Sequence, residues 1–311
     1  MSLEQVAAFL RSHDNYHILT HAYPDGDTLG SGYALCLALQ QLGKNAAVIT
    51  TELPADYTFL TRAAEAQDFD AQTVVSVDVA DEKLLGSNRE RYEGHIDLCV
   101  DHHEINRVNA PLKHVEAHAA ANCEILYRLF RAMEITITRD IANCLYTGIS
   151  TDTGCFRYNN TTADTLRVAA DLLDFGADYT VINKVMFETK TKKKLALERE
   201  VYDTLEYCCH DKCAIIAVTL ETRRKVGVRN DELEGLASIP RQIEGVQLGI
   251  TLRERDEGGF KVSMRSDGNV NVAKLCAQFG GGGHAAAAGC TLNGTLQEVK
   301  AALIQAAEAW L

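Results

Sequence analysis

Short runs that are apolar throughout alternate along this chain with longer stretches whose apolar residues recur at helical spacing. Residues 2–14 predict an amphipathic helix, 16–20 a buried strand, 29–42 a helix and 46–50 a second strand. The segment 53–70 is polar and helical at best, while 73–77 and 96–100 read as further buried strands. Helices are expected at 123–133, 141–150, 163–175 and 179–187. Strands apolar throughout, alternating with helices, predict a parallel sheet covered on both faces. The later part differs, with a strand at 213–220 and a helical stretch near 231–238. Strands at 246–254 and 259–265 follow as a hairpin around residues 256–259, then helices at 270–278 and 295–310. The expected fold class is therefore α/β, an N-terminal parallel-sheet domain plus a smaller mixed α/β C-terminal domain. The charged stretch 188–200 marks the join. The expected boundaries are 1–188 for the first domain, 189–207 for a helical linker and 208–311 for the second.

Composition narrows the class. A chain of 311 residues suits two domains, and 46% hydrophobic with 24% charged residues describes a globular protein with a real core. No apolar run approaches the roughly 18 residues of a membrane span. The first residues carry Glu4 and no basic run, unlike a signal peptide. Ten cysteines without a Cys-x-x-Cys pair predict reduced thiols in a cytoplasmic protein. The net charge of −12 is unevenly placed: residues 1–190 hold 15 basic and 27 acidic side chains, residues 191–311 hold 16 of each. No basic stripe for a long nucleic-acid duplex is present. Concentrated carboxylates are what a multi-metal site needs.

The chemistry collects at the ends of elements. Residues 21–32 (HAYPDGDTLGSG) place His21, Asp25 and Asp27 in a turn between a strand and a helix. A plain loop, turning at Asp25 and Gly26 and capping the helix with Asp27, explains that stretch alone equally well. Two more strands stop at Asp78 and at Asp101-His102-His103, and a helix runs into Thr151-Asp152-Thr153-Gly154. Ligands bind outside the carboxyl ends of strands in open α/β sheets. His21, Asp25, Asp27, Asp78, His102 and Asp152 thus offer six metal ligands from four places, a donor set for manganese, iron or cobalt and less well magnesium. Farther on, Gly280 to Gly283 precede His284, with Arg265 and Ser266 upstream. A glycine run lets backbone N–H groups approach an anion, although a flexible turn is the simpler reading. Arg157 is a weaker phosphate contact. His114 and His118 have i,i+4 spacing if helical but no placed carboxylate partner, which favours a surface role. Cys208, Cys209 and Cys213 lack the second pair of a structural zinc site and read as buried cysteines before a strand. Ser31 has no triad context.

The ordered series His-x-x-x-Asp-x-Asp, a strand-end Asp, Asp-His-His and Thr-Asp-Thr-Gly resembles the DHH phosphoesterase superfamily. Residues 148–160 (GISTDTGCFRYNN) extend the likeness, and 279–289 (FGGGGHAAAAG) with Arg265-Ser266 resembles the DHH-associated C-terminal domain. The resemblance implies two divalent ions, usually manganese. His21, Asp25 and Asp78 would hold one, and Asp27, Asp78, His102 and Asp152 the other, with Asp78 bridging. It also implies that His103 contacts the scissile phosphate, with Asp101 orienting an imidazole. Arg265, Ser266, Gly281, Gly282, Gly283, His284 and Arg157 would bind substrate, in a cleft between the domains. Length and layout are most similar to the bifunctional oligoribonuclease and pAp phosphatase branch. That branch degrades very short RNAs and removes the 3′-phosphate of 3′-phosphoadenosine-5′-phosphate (pAp). The alternatives are a cyclic- or linear-dinucleotide phosphodiesterase and, in another class, a non-catalytic nucleotide sensor. The expected partners are a small nucleotide or short RNA, with no membrane and with room for a homodimer.

Overall fold

The computed structural model describes residues 1–229, 231–233 and 235–311, and for Asp231 and His284 the backbone alone. The chain divides into two compact units, Met1–Thr189 and Lys190–Leu311.

The first unit begins with α1 (Leu3–Ser12), β1 (Tyr16–Leu19), α2 (Gly26–Gln41), β2 (Ala46–Ile49) and β3 (Thr73–Val77). It continues with α3 (Arg89–Tyr92), β4 (Leu98–Asp101), β5 (Leu112–Val115), α4 (Asn122–Ala132), α5 (Arg139–Asp152), α6 (Ala163–Asp174) and α7 (Tyr179–Asn183). The five strands are parallel, in the order β2-β1-β3-β4-β5. Every residue of β1, β3 and β4 is buried, because alternate side chains feed cores on opposite faces. Ile18, Val75, Leu98 and Val100 join α1, α2, α4 and α5 on one face, while Leu19, Val74 and Cys99 pack with Leu85 and Tyr92 on the other. The helix α2 is buried nearly all round, as its apolar residues on every side require. Strand order reverses between β1 and β3, so the loops leaving these neighbours diverge and open a crevice at their carboxyl ends.

The second unit holds α8 (Lys192–Tyr202), β6 (Glu206–Cys208), β7 (Cys213–Val218), α9 (Leu220–Val226), β8 (Leu248–Glu254) and β9 (Phe260–Ser266). It closes with α10 (Val272–Ala277), β10 (Gly282–His284), β11 (Ala287–Leu292) and α11 (Leu296–Glu308). Its six strands run β10-β11-β9-β8-β7-β6, with β7 and β8 parallel and the other pairs antiparallel. Ile215 and Ala217 of β7 pack with α10 and α11, and Ile216 and Val218 with Leu197 and Val201 of α8.

The α/β class, with a parallel first sheet and a mixed second one, is as the hydrophobic pattern predicts. Several elements were not expected: β5, β6, α9 and the β10–β11 hairpin. The segment 53–70 holds only a short helical turn, Ala55–Thr61, and the helix expected to reach 187 gives way to a π-helical turn at Lys184–Glu188. The charged stretch after residue 191 forms α8, whose Leu197 and Val201 are fully buried within the second unit. Among the described residues no helix is long and apolar enough to cross a membrane.

Candidate metal centre

Asp25, rather than Asp27, caps α2: its Oδ1 accepts the backbone N–H of Asp27 and Thr28, both at 3.1 Å. That leaves Asp25 Oδ2 free to face His21 Nε2 at 3.6 Å. The helix thus starts three residues earlier than its apolar spacing suggests, and Asp27 is carried inward on its first turn. Asp27 is fully buried, and its two oxygens accept the N–H groups of Asn122 (2.6 Å) and Cys123 (2.9 Å). Ala121, at the N-cap of α4, offers no side-chain acceptor, so Asp27 caps α4 from 95 residues away. Gly148 on α5 allows this approach, since a Cβ there would meet Asp27 Oδ1 at 2.5 Å and collide with Cys123 Sγ.

Asp78 follows β3 with a left-handed backbone (φ 55°), and its N–H donates to the Val100 carbonyl. A non-glycine residue in that region carries strain, and such strain gathers at functional sites. Its two oxygens face different partners. Oδ2 lies 3.7 Å from His21 Nε2, and Oδ1 lies 3.4 Å from His102 Nε2 and 3.7 Å from His103 Nδ1. His102 Nε2 also faces Asp152 Oδ2 at 3.3 Å and Asp27 Oδ2 at 3.7 Å. On the far side of the ring, His102 Nδ1 sits 3.2 Å from the Ala119 carbonyl, so Nδ1 carries the proton that donates there. His103 Nδ1 donates in the same way to Asp101 at 2.8 Å.

All six sequence-predicted ligands therefore come together. They form the groups His21/Asp25/Asp78 and Asp27/His102/Asp152, with Asp78/His102/His103 between. The residues fit divalent cations. Separations of 3.3–3.7 Å exceed a normal N–H···O bond, as for groups turned toward a shared centre rather than toward one another. Asp78 Oδ1 is buried with no hydrogen-bond partner, a costly state for a carboxylate that a cation relieves. Electrostatics agree. Burial and the neighbouring Asp152 push Asp27 up to about 7, and burial with Asp27 pushes Asp78 well above its usual value. Burial alone would lower His102, but the carboxylates of Asp152 and Asp78 pull it up to about 12. The cage is short of positive charge.

The remaining candidates lie elsewhere. Arg157 is exposed, its Nε donates to the Gly154 carbonyl at 2.5 Å, and its guanidinium lies 6.0 Å from the Phe187 ring. In the second unit, strand register sets residues 265, 287 and 284 in one row across β9, β11 and β10. The side chain of His284 lies outside the described residues. Ser266 is buried, and its Oγ accepts the N–H groups of Gly268 and Val270, closing the turn after β9. The second half of the glycine run, Gly282 and Gly283, lies in the hairpin strand β10 rather than in a free loop. A Cβ on Gly281 would strike the Gly289 carbonyl and one on Gly283 the Ala287 carbonyl, whereas Gly282 faces open space. His114 is buried on β5, not on a helical surface, and pairs with Glu116 at 2.6 Å and the Met1 carbonyl at 2.8 Å. Cys208 and Cys213 oppose each other across β6 and β7.

Residues 15–149 match the DHH family, N-terminal domain, and residues 211–311 match the DHHA1 domain. The bifunctional oligoribonuclease and PAP phosphatase NrnA of Thermus thermophilus is 33% identical over 284 residues, covering 89% of this chain and 84% of that protein. The chain belongs to the DHH phosphoesterase family. As a DHH phosphoesterase it is a hydrolase of phosphoester bonds. The cyclic-di-AMP phosphodiesterase PdeA of Listeria monocytogenes is 25% identical over 325 residues, 96% of this chain but 48% of that protein. The solved structure of an exopolyphosphatase-related protein from Bacteroides fragilis superposes with a TM-score of 0.89 at 25% identity, covering 99% of this DHH chain and 96% of that one.

Proposed function

We propose that this DHH phosphoesterase hydrolyses short oligoribonucleotides and pAp with two divalent ions, manganese by preference. His21, Asp25 and Asp78 would hold one ion, and Asp27, Asp78, His102 and Asp152 the other. The observation that carries the reading is Asp78, a buried carboxylate whose two oxygens face two separate donor sets. Mixed imidazole and carboxylate donors suit manganese. Bound there, the ions supply positive charge to phosphate oxygens and lower the pKa of water. The protein's own residues do the positioning. Asp101 keeps the proton on His103 Nδ1 and leaves Nε2 as the atom that meets the scissile phosphate. Arg265 and the neighbouring backbone of residues 281–284 grip the nucleotide, and Arg157 adds a phosphate contact. A net charge of −12 without a basic stripe suits a substrate of few phosphates. The Thermus thermophilus relative, named for both activities, supports the choice of substrates. Ten unpaired thiols support a cytoplasmic location.

The test is a substrate panel. The purified protein with manganese is offered pAp, RNAs of two to four nucleotides and cyclic di-AMP, and products are separated by chromatography. Release of AMP from pAp and of mononucleotides from the RNAs is expected, and D78N should abolish both. Turnover of none of the three sinks the proposal, and activity retained by D78N removes Asp78 from the bridging role. The match of nearly the whole chain to PdeA favours a second reading, a cyclic-dinucleotide phosphodiesterase on the same residues. Faster cleavage of cyclic di-AMP than of pAp selects it. Tight nucleotide binding without turnover marks a sensor.

A further inference from the structure

Asn106 lies outside the ligand set, five residues after Asp101, in the loop between β4 and β5. Its Nδ2 donates to Asp101 Oδ2 at 2.7 Å and to the Val79 carbonyl at 3.0 Å. Its Oδ1 accepts the Val108 N–H at 3.1 Å and Lys113 Nζ at 3.3 Å. The amide has only one orientation that works. Turned over, its NH2 would oppose two other donors, and its oxygen would face a carboxylate and a carbonyl. Asp101 is fully buried and spends one oxygen on His103 and the other on Asn106. A carboxylate held at both oxygens cannot rotate, and its fixed oxygen decides which nitrogen of His103 bears the proton. The same Asn106 ties the loop carrying His102 and His103 back to the residue after Asp78, through Val79, and to β5, through Lys113.

We infer that Asn106 is a positioning residue for phosphoester hydrolysis, clamping Asp101 so that the His103 ring keeps its Nε2 edge turned to the substrate. This rests on the role of His103 given above. Asn106 touches neither the ligand cage nor the substrate. Its loss should therefore lower kcat by about 10–100-fold, the usual scale for outer hydrogen-bond partners, with KM for pAp and bound manganese unchanged.

Two variants separate positioning from simple support of the loop. N106L removes every contact. N106D keeps an acceptor for Val108 and Lys113 and loses the donor to Asp101. Both should show the kcat loss, whereas N106D restoring wild-type kcat overturns the inference. A second readout needs neither metal nor turnover. In long-range 1H–15N spectra of the metal-free protein, the Nδ1–H of His103, assigned with H103Q, should exchange slowly with solvent because Asp101 holds it. N106D should speed that exchange, and an unchanged exchange rate in that variant overturns the inference. If the wild type fails to cleave pAp, the substrate reading falls by itself while the spectra still decide the role of Asn106.

Discussion

Asp27 and Asp152 face the same nitrogen of His102 from opposite circumstances. Asp27 is fully buried and ends α4 with two hydrogen bonds, whereas Asp152 is partly exposed at the close of its own helix. D27N can satisfy only one of the two N–H groups with its remaining carbonyl oxygen. It should cost about 1–3 kcal/mol in the metal-free protein, measured by urea unfolding, besides weakening manganese binding. D152N should weaken manganese binding without moving the urea midpoint. Equal metal-free stabilities of the two variants would contradict this division. The residues that gather in the candidate cage were legible in the sequence because most of them stand where apolar strands stop. The capping role of Asp27 and the carbonyl behind His102 were not, since their partners sit 95 and 17 residues away and meet only through packing.

At the scale of elements, β1 carries an imidazole with a task apart from the candidate metal centre. His17 is 5% exposed, its Nδ1 lies 2.7 Å from the Tyr92 hydroxyl, and burial together with the Arg91 charge holds it below its usual value. The folded chain therefore keeps His17 neutral, while the unfolded chain protonates it near pH 6.5. Between the lowered folded value and 6.5 the unfolded state binds more protons, so stability from this group is present above 6.5 and lost as pH falls. Unfolding midpoints at pH 7.5 and 5.5 should differ more in the wild type than in H17Q, and an equal difference would remove His17 as the cause. Three of the strands that escaped sequence reading share a physical reason. β5, β6 and β10 are all edge strands, which bury neither two full faces nor a long apolar run. β5 carries Lys113 and His114, β6 has three residues, and β10 is mostly glycine. Central strands β1, β3, β7 and β8, rich in buried apolar residues, stood out at once.

Across the whole molecule, the two units keep separate apolar cores, and every proposed metal ligand belongs to the first. Manganese should therefore stabilise the first unit, by about 2.7 kcal/mol for each ion at a hundredfold excess over Kd, and leave the thermal transition of the second in place. Calorimetry with and without the metal reads this directly, and equal displacement of both transitions would refute it. The capping of α4 by Asp27 also bears on how such a protein ages in evolution. A lineage released from catalysis could shed Asp152 with little harm to the fold, but losing Asp27 would loosen a helix as well. Asp27 would outlast the activity it serves, so its presence in a distant descendant testifies to inherited architecture, and the identity of residue 152 is the better witness to chemistry still under selection.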